Sequence, residues 1–215
     1  MTSPAVDLRE AVVMSGSFPL LAGLTFCAQP GTLVVLRGGN GAGKTSALRL
    51  LGGLERLNGG SGRVLDIDLS SGDRRGLRRR VGWMGHEGSF YEDLTVRENL
   101  EFAARSLGRP VEDIDPALER VGLGHRRSTP TRQLSAGQRR RLALGWILVR
   151  RPELWLLDEP HAALDRSARD LVDQLVLDAL SVGVTVVVSA HDQLDARLAP
   201  DQVLVLSGGR VVEES

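Results

Sequence analysis

The chain has 215 residues, of which 42% are hydrophobic and 25% are charged, as in an ordinary globular domain with a sizeable core. Lys and Arg together number 27 and so do Asp and Glu, so the overall charge does not point to nucleic acid or an acidic membrane surface. No apolar run reaches the ~20 residues of a bilayer span. The single cysteine, Cys27, excludes an internal disulfide, and residues 1–13 lack the apolar core of a signal peptide. We therefore expect a protein of a reducing, cytosolic compartment.

The first elements in chain order are strands. Residues 1–30 predict short strands and turns, with an antiparallel edge. The run GTLVVLRG (31–38) is typical of a buried strand, and KTSALRLLGGL (44–54) follows it at once as a helix. The apolar runs LWLLDEP (154–160) and VTVVVSAHD (184–192) predict two further strands that are buried on both faces of a parallel sheet.

Two helical regions separate these strands. Between 160 and 184, apolar residues recur at helical spacing: Ala168, Leu171, Val172, Leu175 and Ala179. Residues 93–150 are also mostly helical in pattern, and Thr95 with Glu98 predicts a capping box at a helix start. The alternation of strands and helices predicts an α/β fold. We expect one domain over residues 1–215, with a helical insert at about 87–150.

The glycine-rich loop between the first buried strand and its helix carries the first chemical motif. Gly38, Gly43, Lys44 and Thr45 match G-x-x-x-x-G-K-[ST], the pattern of a P-loop whose amides wrap a phosphate chain. Lys44 is expected to reach the β- and γ-phosphates, and Thr45 to ligate Mg²⁺. The alternative is a glycine-rich turn with a chance lysine. The residues predicted to bind the nucleotide here are Gly38, Gly39, Asn40, Gly41, Ala42, Gly43, Lys44, Thr45 and Ser46.

Two carboxylates end the strand predicted over 154–160. Asp158 is expected to hold Mg²⁺, and Glu159 to polarise a water molecule for attack on the γ-phosphate. Carboxylates also end strands as ordinary caps, so this interpretation depends on the P-loop upstream.

Two shorter signals follow. LSAGQ (134–138) precedes a helix, so Ser135 and Gly137 can present donors to an anion; the alternative is an N-cap serine in a small-residue turn. His191 follows a strand that should lie beside the P-loop strand, from which it could hydrogen-bond the γ-phosphate. A lone histidine is more often structural.

In this order, the four elements resemble the nucleotide-binding subunits of ATP-binding-cassette (ABC) transporters. GGNGAGKT resembles Walker A, LSAGQ the signature motif (normally L-S-G-G-Q), and LWLLDEP Walker B with its catalytic glutamate. AALD (162–165) resembles the D-loop, and His191 the switch histidine. The resemblance covers roughly residues 6–213. It implies a P-loop NTPase core with a mostly parallel sheet, an N-terminal antiparallel β-subdomain and a helical insert.

The resemblance also implies partners. Two copies, or one copy and a homologous subunit, would enclose ATP and Mg²⁺, with Ser135, Gly137 and Gln138 facing the nucleotide held by the partner's Lys44. Asp165 would link the two sites. The insert would dock to helices of an integral membrane subunit, which places the chain at the cytoplasmic face of the membrane. No nucleic-acid partner is expected.

The sequence departs from the family pattern at two positions. The family usually has a glutamine after the strand that precedes the insert, whereas here that position is His86. An imidazole can ligate a metal when it is neutral, and the alternative is a surface turn residue. The family also stacks an aromatic side chain on adenine, and the nearest aromatic residue here is Phe18.

One branch of the family is more similar than the rest. GWMGHEGSFYEDLTVRENL (82–100) resembles the G-H…L-T-x-x-E-N-L segment of the ATP-binding subunit of the haem exporter used in c-type cytochrome maturation. The prediction of haem export rests on this resemblance alone. The alternatives are another small bacterial ABC exporter, a soluble ABC ATPase without a membrane partner, and a P-loop kinase that would leave LSAGQ without a role.

Arginine-rich segments occur at 74–75, 78–80, 139–141 and 150–151. They could bind nucleic acid, but solvated helix faces and turn ends are the preferred interpretation. Arg139 and Arg140 follow the signature motif and could instead lie near the dimer interface.

Overall fold

Two β-sheets and six α-helices make up the computed structural model, which describes residues 3–85, 90–162, 164–190 and 197–215. In these ranges the strands are β1 (Val6–Ser15), β2 (Phe18–Ala28), β3 (Leu33–Arg37), β4 (Gly59–Val64), β5 (Ile67–Asp68), β6 (Val81–Met84), β7 (Leu154–Asp158), β8 (Thr185–Ser189), β9 (Gln202–Ser207) and β10 (Arg210–Glu214). The helices are α1 (Lys44–Leu51), α2 (Arg74–Arg80), α3 (Val96–Ser106), α4 (Ile114–Arg120), α5 (Ala136–Arg150) and α6 (Arg166–Ser181).

The larger sheet has the strand order β10-β9-β3-β8-β7-β6. All its neighbouring strands run parallel except β10, which pairs antiparallel with β9. The three strands predicted from continuous apolar runs are β3, β7 and β8, and they lie side by side in the middle of this sheet. The prediction of a mostly parallel sheet is confirmed.

Both faces of this sheet are covered, which explains why its strands have no polar alternation. In β3, Leu33 and Val35 pack into one core, and Val34 and Leu36 into the other. The first core contains α6 and the apolar faces of α3, α4 and α5. The second contains α1 and the N-terminal strands. Each fully buried leucine in these cores contributes about 1.5–3 kcal/mol relative to an exposed one.

The smaller sheet has the order β2-β1-β4-β5 and is antiparallel throughout. The antiparallel strands predicted over residues 1–30 are present as β1 and β2. Their pairing with β4 was not predicted, because the sequence of β4, GGSGRV, resembles a loop. Glycine is needed in it: Gly60 has a φ of 72°, and a Cβ there would lie 2.1 Å from the carbonyl oxygen of Glu10.

Residues 93–150 are largely helical, as predicted, and contain α3, α4, α5 and three single-turn 3-10 helices. The predicted capping box of Thr95 and Glu98 is present at the start of α3. The boundary of a separate insert at about 87–150 stays a prediction. Among the described helices, none has the length and hydropathy that a bilayer crossing needs.

Only some of the side chains in the arginine-rich segments lie on solvated faces. Arg80 pairs with Glu153 at 2.6 Å, and both side chains are exposed. Arg150 differs from the prediction: it is half-buried, its Nη2 donates to the carbonyl oxygen of Arg78 at 2.7 Å, and burial lowers its pKa.

The parallel sheet also determines where a site can form. The carboxyl ends of parallel strands lie at one edge, where ligands bind in open α/β sheets. Here β3 runs into the glycine loop, β7 ends at Asp158, and β8 ends at Ser189. Ser189 is in register with both Leu36 and Asp158, so the three strand ends are adjacent.

Candidate active site

The loop between β3 and α1 has a backbone that glycine makes possible. Gly38 has a φ of 142°, and a Cβ there would lie 2.4 Å from the carbonyl oxygen of Leu206. Gly41 and Gly43 have φ values of 76° and 105°, and Gly43 is the N-cap of α1. The first turn of a helix leaves N–H groups without intrahelical partners, and its dipole favours negative charge. The loop can therefore hold phosphate with its backbone.

Lys44 is the first residue of α1 and is 6% exposed. Its Nζ donates to the carbonyl oxygens of Gly38 at 2.7 Å and Gly39 at 3.1 Å. An ammonium has three N–H groups, so two hold the side chain over the loop and one is left for a ligand oxygen. A cation fixed in this way adds a full charge to the partial charge of the helix end.

Asp158 connects the second strand end to the loop. Its carboxylate is 5% exposed and accepts one hydrogen bond at each oxygen, from Thr45 Oγ1 at 2.8 Å and from Ser189 Oγ at 2.6 Å. A carboxylate and a hydroxyl are the oxygen ligands that Mg²⁺ prefers, and Mg²⁺ usually takes its remaining ligands from phosphate and water. In the part of the chain that the structure describes, no group of three His, Cys, Asp or Glu side chains could hold a metal without such help. Thr45 and Asp158 therefore fit a metal that arrives with a phosphate ligand.

Glu159 follows in an unusual conformation. Its φ is 48°, which few residues other than glycine adopt. Its N–H donates to Ser189 Oγ at 2.9 Å and, less closely, to the Ser189 carbonyl oxygen at 3.2 Å. Ser189 thus holds Asp158 through its hydroxyl hydrogen and Glu159 through its oxygens. Sequence reasoning missed Ser189: it lies within the predicted run 184–192, but its contacts depend on which strands become neighbours.

A cavity of about 360 Å³ lies at this edge of the sheet. Residues 39–46 of the loop form its floor, and Glu159 lies in its wall. Phe18 also lines the cavity and is 70% exposed, so it is an aromatic side chain at the rim with a free face. The remaining wall comes from Pro19, Leu20, Gly208 and Gly209. The loop, Glu159 and Phe18 are thus brought together.

The signature residues lie elsewhere. None of the described residues lining the cavity comes from α5. Ser135 is exposed and is the N-cap of α5: its Oγ accepts from Gln138 N at 3.2 Å, while Gln138 Oε1 accepts from Ser135 N at 3.0 Å. Gly137 is half-buried in the first turn. The turn that the sequence left open as an alternative is therefore present, and the Ser135 hydroxyl hydrogen can still be donated.

Asp165 is an N-cap in the same way. Its carboxylate accepts from Ala168 N at 2.8 Å and Ser167 Oγ at 3.2 Å, and these bonds lower its pKa. His86 and His191 lie outside the described residues, as does Ala163 of the D-loop motif, so their predicted roles stay predictions.

Comparisons with known proteins agree with this geometry. A model of the ABC transporter family matches residues 21–162. The cytochrome c biogenesis ATP-binding export protein CcmA of Bradyrhizobium diazoefficiens is 40% identical over 184 residues, which is 85% of this chain and 90% of that protein. The Fe(3+) ions import ATP-binding protein FbpC 2 of Rhodococcus jostii is 36% identical over 205 residues, 92% of this chain but 58% of that protein. A solved dimeric ATP-binding cassette in a post-hydrolysis state, bound to ADP and Pi, has a TM-score of 0.90 and 26% identity, covering 98% of this chain and 97% of that one.

A phosphate-binding loop that leads from a buried parallel strand into a helix defines the class of P-loop NTPases. Within that class the chain belongs to the ABC transporter family, of which it is a nucleotide-binding, ATP-hydrolysing subunit. The resemblance on which the sequence prediction was based is confirmed.

Proposed function

We propose that two copies of this chain enclose two Mg-ATP molecules and hydrolyse them to drive an exporter for c-type cytochrome biogenesis. The observation that carries the proposal is the division of the site: one cavity contains both Lys44 and Glu159, whereas Ser135 is exposed outside it. A second chain would supply the missing half.

The chain's own residues have distinct tasks in this reaction. Lys44 and the loop amides bind the phosphates, and Glu159 orients the attacking water and takes its proton. His191 would donate a hydrogen bond to the γ-phosphate as charge develops on it. Thr45 and Asp158 would hold Mg²⁺, which neutralises charge on the phosphate oxygens. Phe18 is proposed to stack on adenine, because it is exposed at the rim of the same cavity.

The half-site on α5 would act in trans. Its first turn contains no acidic residue, so its N–H groups and dipole remain available to an anion. Ser135 and Gly137 would bind the γ-phosphate held by the partner copy, with Gln138 fixing the turn and Asp165 lying at the junction of the two sites. ATP then holds the two copies together, and hydrolysis removes the phosphate that both copies bind.

The export role is supported by the extent of similarity. The cytochrome c biogenesis relative is 40% identical and is matched over 90% of its own length, whereas the import relative is 36% identical and extends well beyond the match, which covers 58% of it. Haem, which the sequence resemblance implies, stays the predicted substrate.

We propose that the membrane subunit docks in a groove of about 320 Å³ between β6 and α5. Trp83, Phe90 and Trp146 line it, and Phe90 packs edge-on against Trp146 with ring centroids 5.9 Å apart. Arg78 and Arg150 also line it, and among the described residues neither guanidinium pairs with a carboxylate. The groove therefore fits an apolar segment that carries an acidic residue.

Single-turnover hydrolysis by Glu159→Gln tests the catalytic part. ATP binding should stay within about twofold of wild type, while hydrolysis slows by roughly two orders of magnitude or more, because a general base contributes about that much. Wild-type turnover in this variant would remove Glu159 from its role.

The export role is tested in cells that carry the Glu159→Gln allele. Covalently haem-stained c-type cytochromes should be lost, while total haem and b-type cytochromes stay at the wild-type level. Normal c-type cytochromes would overturn this assignment and leave the ATPase assignment intact.

Docking is tested by co-expression with a candidate membrane subunit of a c-type cytochrome biogenesis exporter. The wild-type chain should co-purify with it, and Trp146→Asp should not, with Val182→Asp as a control at an exposed position outside the groove. Equal recovery of both variants would place the contact elsewhere.

A further inference from the structure

The turn that follows Glu159 is held from two sides. Within it, Ala162 N donates to the Glu159 carbonyl oxygen at 3.1 Å. From α5, the helix that begins with the signature residues, Arg140 Nη1 donates to the carbonyl oxygen of Ala162. Arg140 is half-buried; burial lowers its pKa, while the charges of Glu159 and Asp158 oppose that effect. The guanidinium thus interacts electrostatically with the carboxylates of both Glu159 and Asp158.

The second anchor comes from α6. His161 Nε2 lies 2.6 Å from Asp173 Oδ1, with 21% of the histidine side chain and 4% of the aspartate side chain exposed. On its other oxygen, Asp173 faces Arg197 Nη2 at 3.9 Å, and Arg197 also donates to Asp170 at 2.9 Å. A buried carboxylate is costly unless it is hydrogen-bonded, so this bond fixes His161 firmly to α6.

Glu159 needs such an anchor. A non-glycine residue at positive φ persists only where the surrounding structure holds it, at a cost of order 1–3 kcal/mol. Ser189 holds the N–H of Glu159 on the strand side, and the hydrogen bonds of Ala162 hold only the backbone of the turn that follows. His161 is two residues further on, so its attachment to Asp173 restrains the turn on the other side.

We infer that His161, held by Asp173, is a positioning residue that keeps the Glu159 carboxylate aimed into the nucleotide cavity. Neither side chain lines that cavity. The inference rests on the proposed role of Glu159 as the base. A misplacement of a reacting group by about 1 Å costs roughly 100-fold in rate, so even partial loss of the anchor should be measurable.

The test compares two amides at position 161. In His161→Gln the side-chain amide reaches about where Nε2 lies, so it can still donate to Asp173. In His161→Asn the amide lies nearer the position of Nδ1 and falls short. We expect His161→Asn to lower kcat for ATP hydrolysis about tenfold, with KM changed less than twofold, and His161→Gln to retain most of kcat.

A double-mutant cycle with Asp173→Asn identifies the partner. The double variant with His161→Asn should be no slower than the slower single variant, because both changes remove the same bond. Asp178→Asn is the matched control, since Asp178 lies on the same helix in an exposed pair with Arg120. All variants are compared at a temperature where circular dichroism shows each to be folded.

The outcomes separate the inference from the proposal on which it rests. If Glu159→Gln is slow but both amides at position 161 match wild type, or if the cycle is additive, the inference is wrong. If Glu159→Gln is as fast as wild type, the proposed base is wrong. A fall in kcat for Asn together with rescue by Gln supports the positioning role.

Discussion

Two helices in the described chain begin with the same hydrogen-bonded box but differ in charge. At α3, Thr95 and Glu98 exchange hydrogen bonds between side chain and backbone; at α5, Ser135 and Gln138 do the same. A carboxylate in the first turn neutralises the positive end of the helix dipole, whereas an amide leaves it uncompensated. The same local geometry thus closes one helix end to anions and leaves the other able to bind them.

The surroundings of the two boxes reinforce this difference. Thr95 is half-buried, and fully buried Asn99 donates to its carbonyl oxygen at 3.0 Å and to Thr131 Oγ1 at 2.8 Å. Ser135 is exposed. The first box is part of the packing of the helical region, whereas the second lies at the surface. A capping box is therefore not by itself a sign of either role.

The largest effect should come from exchanging the third residue of each box. Gln138→Glu places a negative charge where the partner's γ-phosphate is proposed to lie, so we expect hydrolysis to fall about 100-fold while nucleotide binding by the monomer is unchanged. Glu98→Gln is the reciprocal change and should leave kcat within twofold. Equal rates for Gln138→Glu and wild type would show that the charge of this residue does not affect phosphate binding at α5.

Asn99→Ala should have the next largest effect, on stability. It leaves the backbone N–H of Tyr91 and several carbonyl oxygens around the start of α3 without their buried partner. We expect the free energy of unfolding to fall by about 2 kcal/mol, measured by urea denaturation. A loss as small as that of an exposed substitution would mean that water replaces the amide.

Removing the N-cap side chain of α3 or of α5 distinguishes an effect on stability from an effect on hydrolysis. Thr95→Ala and Ser135→Ala should each cost about 1 kcal/mol of unfolding free energy. Only Ser135→Ala should also slow hydrolysis, about tenfold, because it removes a proposed phosphate donor. Ser135→Thr, which keeps the hydroxyl, is the control for the cap. If Thr95→Ala slowed hydrolysis equally, the effect would be one of stability.

The smallest effect is a pH dependence. Hydrogen bonds from the backbone and side chain of Thr95 lower the pKa of Glu98 below its ordinary value of 4.5. A carboxyl with a lowered folded pKa stabilises the protein above its unfolded pKa, and this contribution is lost as the pH falls through the folded pKa. The difference in Tm between wild type and Glu98→Gln should therefore be constant near neutral pH. It should shrink to zero as the pH falls below 4.5. If the difference in Tm persists in acid, it arises from packing rather than from the charge of Glu98.

The sequence predicted those parts that local patterns determine. The buried strands β3, β7 and β8, the helix α6 and the cap at Thr95 all follow from hydrophobic period or capping chemistry. It did not predict β4, because that strand is glycine-rich and is stabilised by its partner β1 rather than by its own residues.

The candidate site divides in the same way. The loop, Asp158 and Glu159 occur as motifs and could be named in advance. Ser189, His161 and Asp173 could not, since their roles depend on which strands and helices become neighbours. The sequence did give one indication of Asp173, because it is an acidic residue on the buried face of α6, near Val176.

The hairpin of β9 and β10 is tied to the phosphate loop across most of the sequence. The Leu206 carbonyl leaves room only for glycine at 38, Gly209 N donates to the Ala42 carbonyl oxygen at 3.0 Å, and Gly208 and Gly209 border the nucleotide cavity. Changes to these two strands would thus disturb nucleotide affinity although they lie far from the loop in the sequence. A substitution in this hairpin can therefore reach the phosphate loop through the backbone alone.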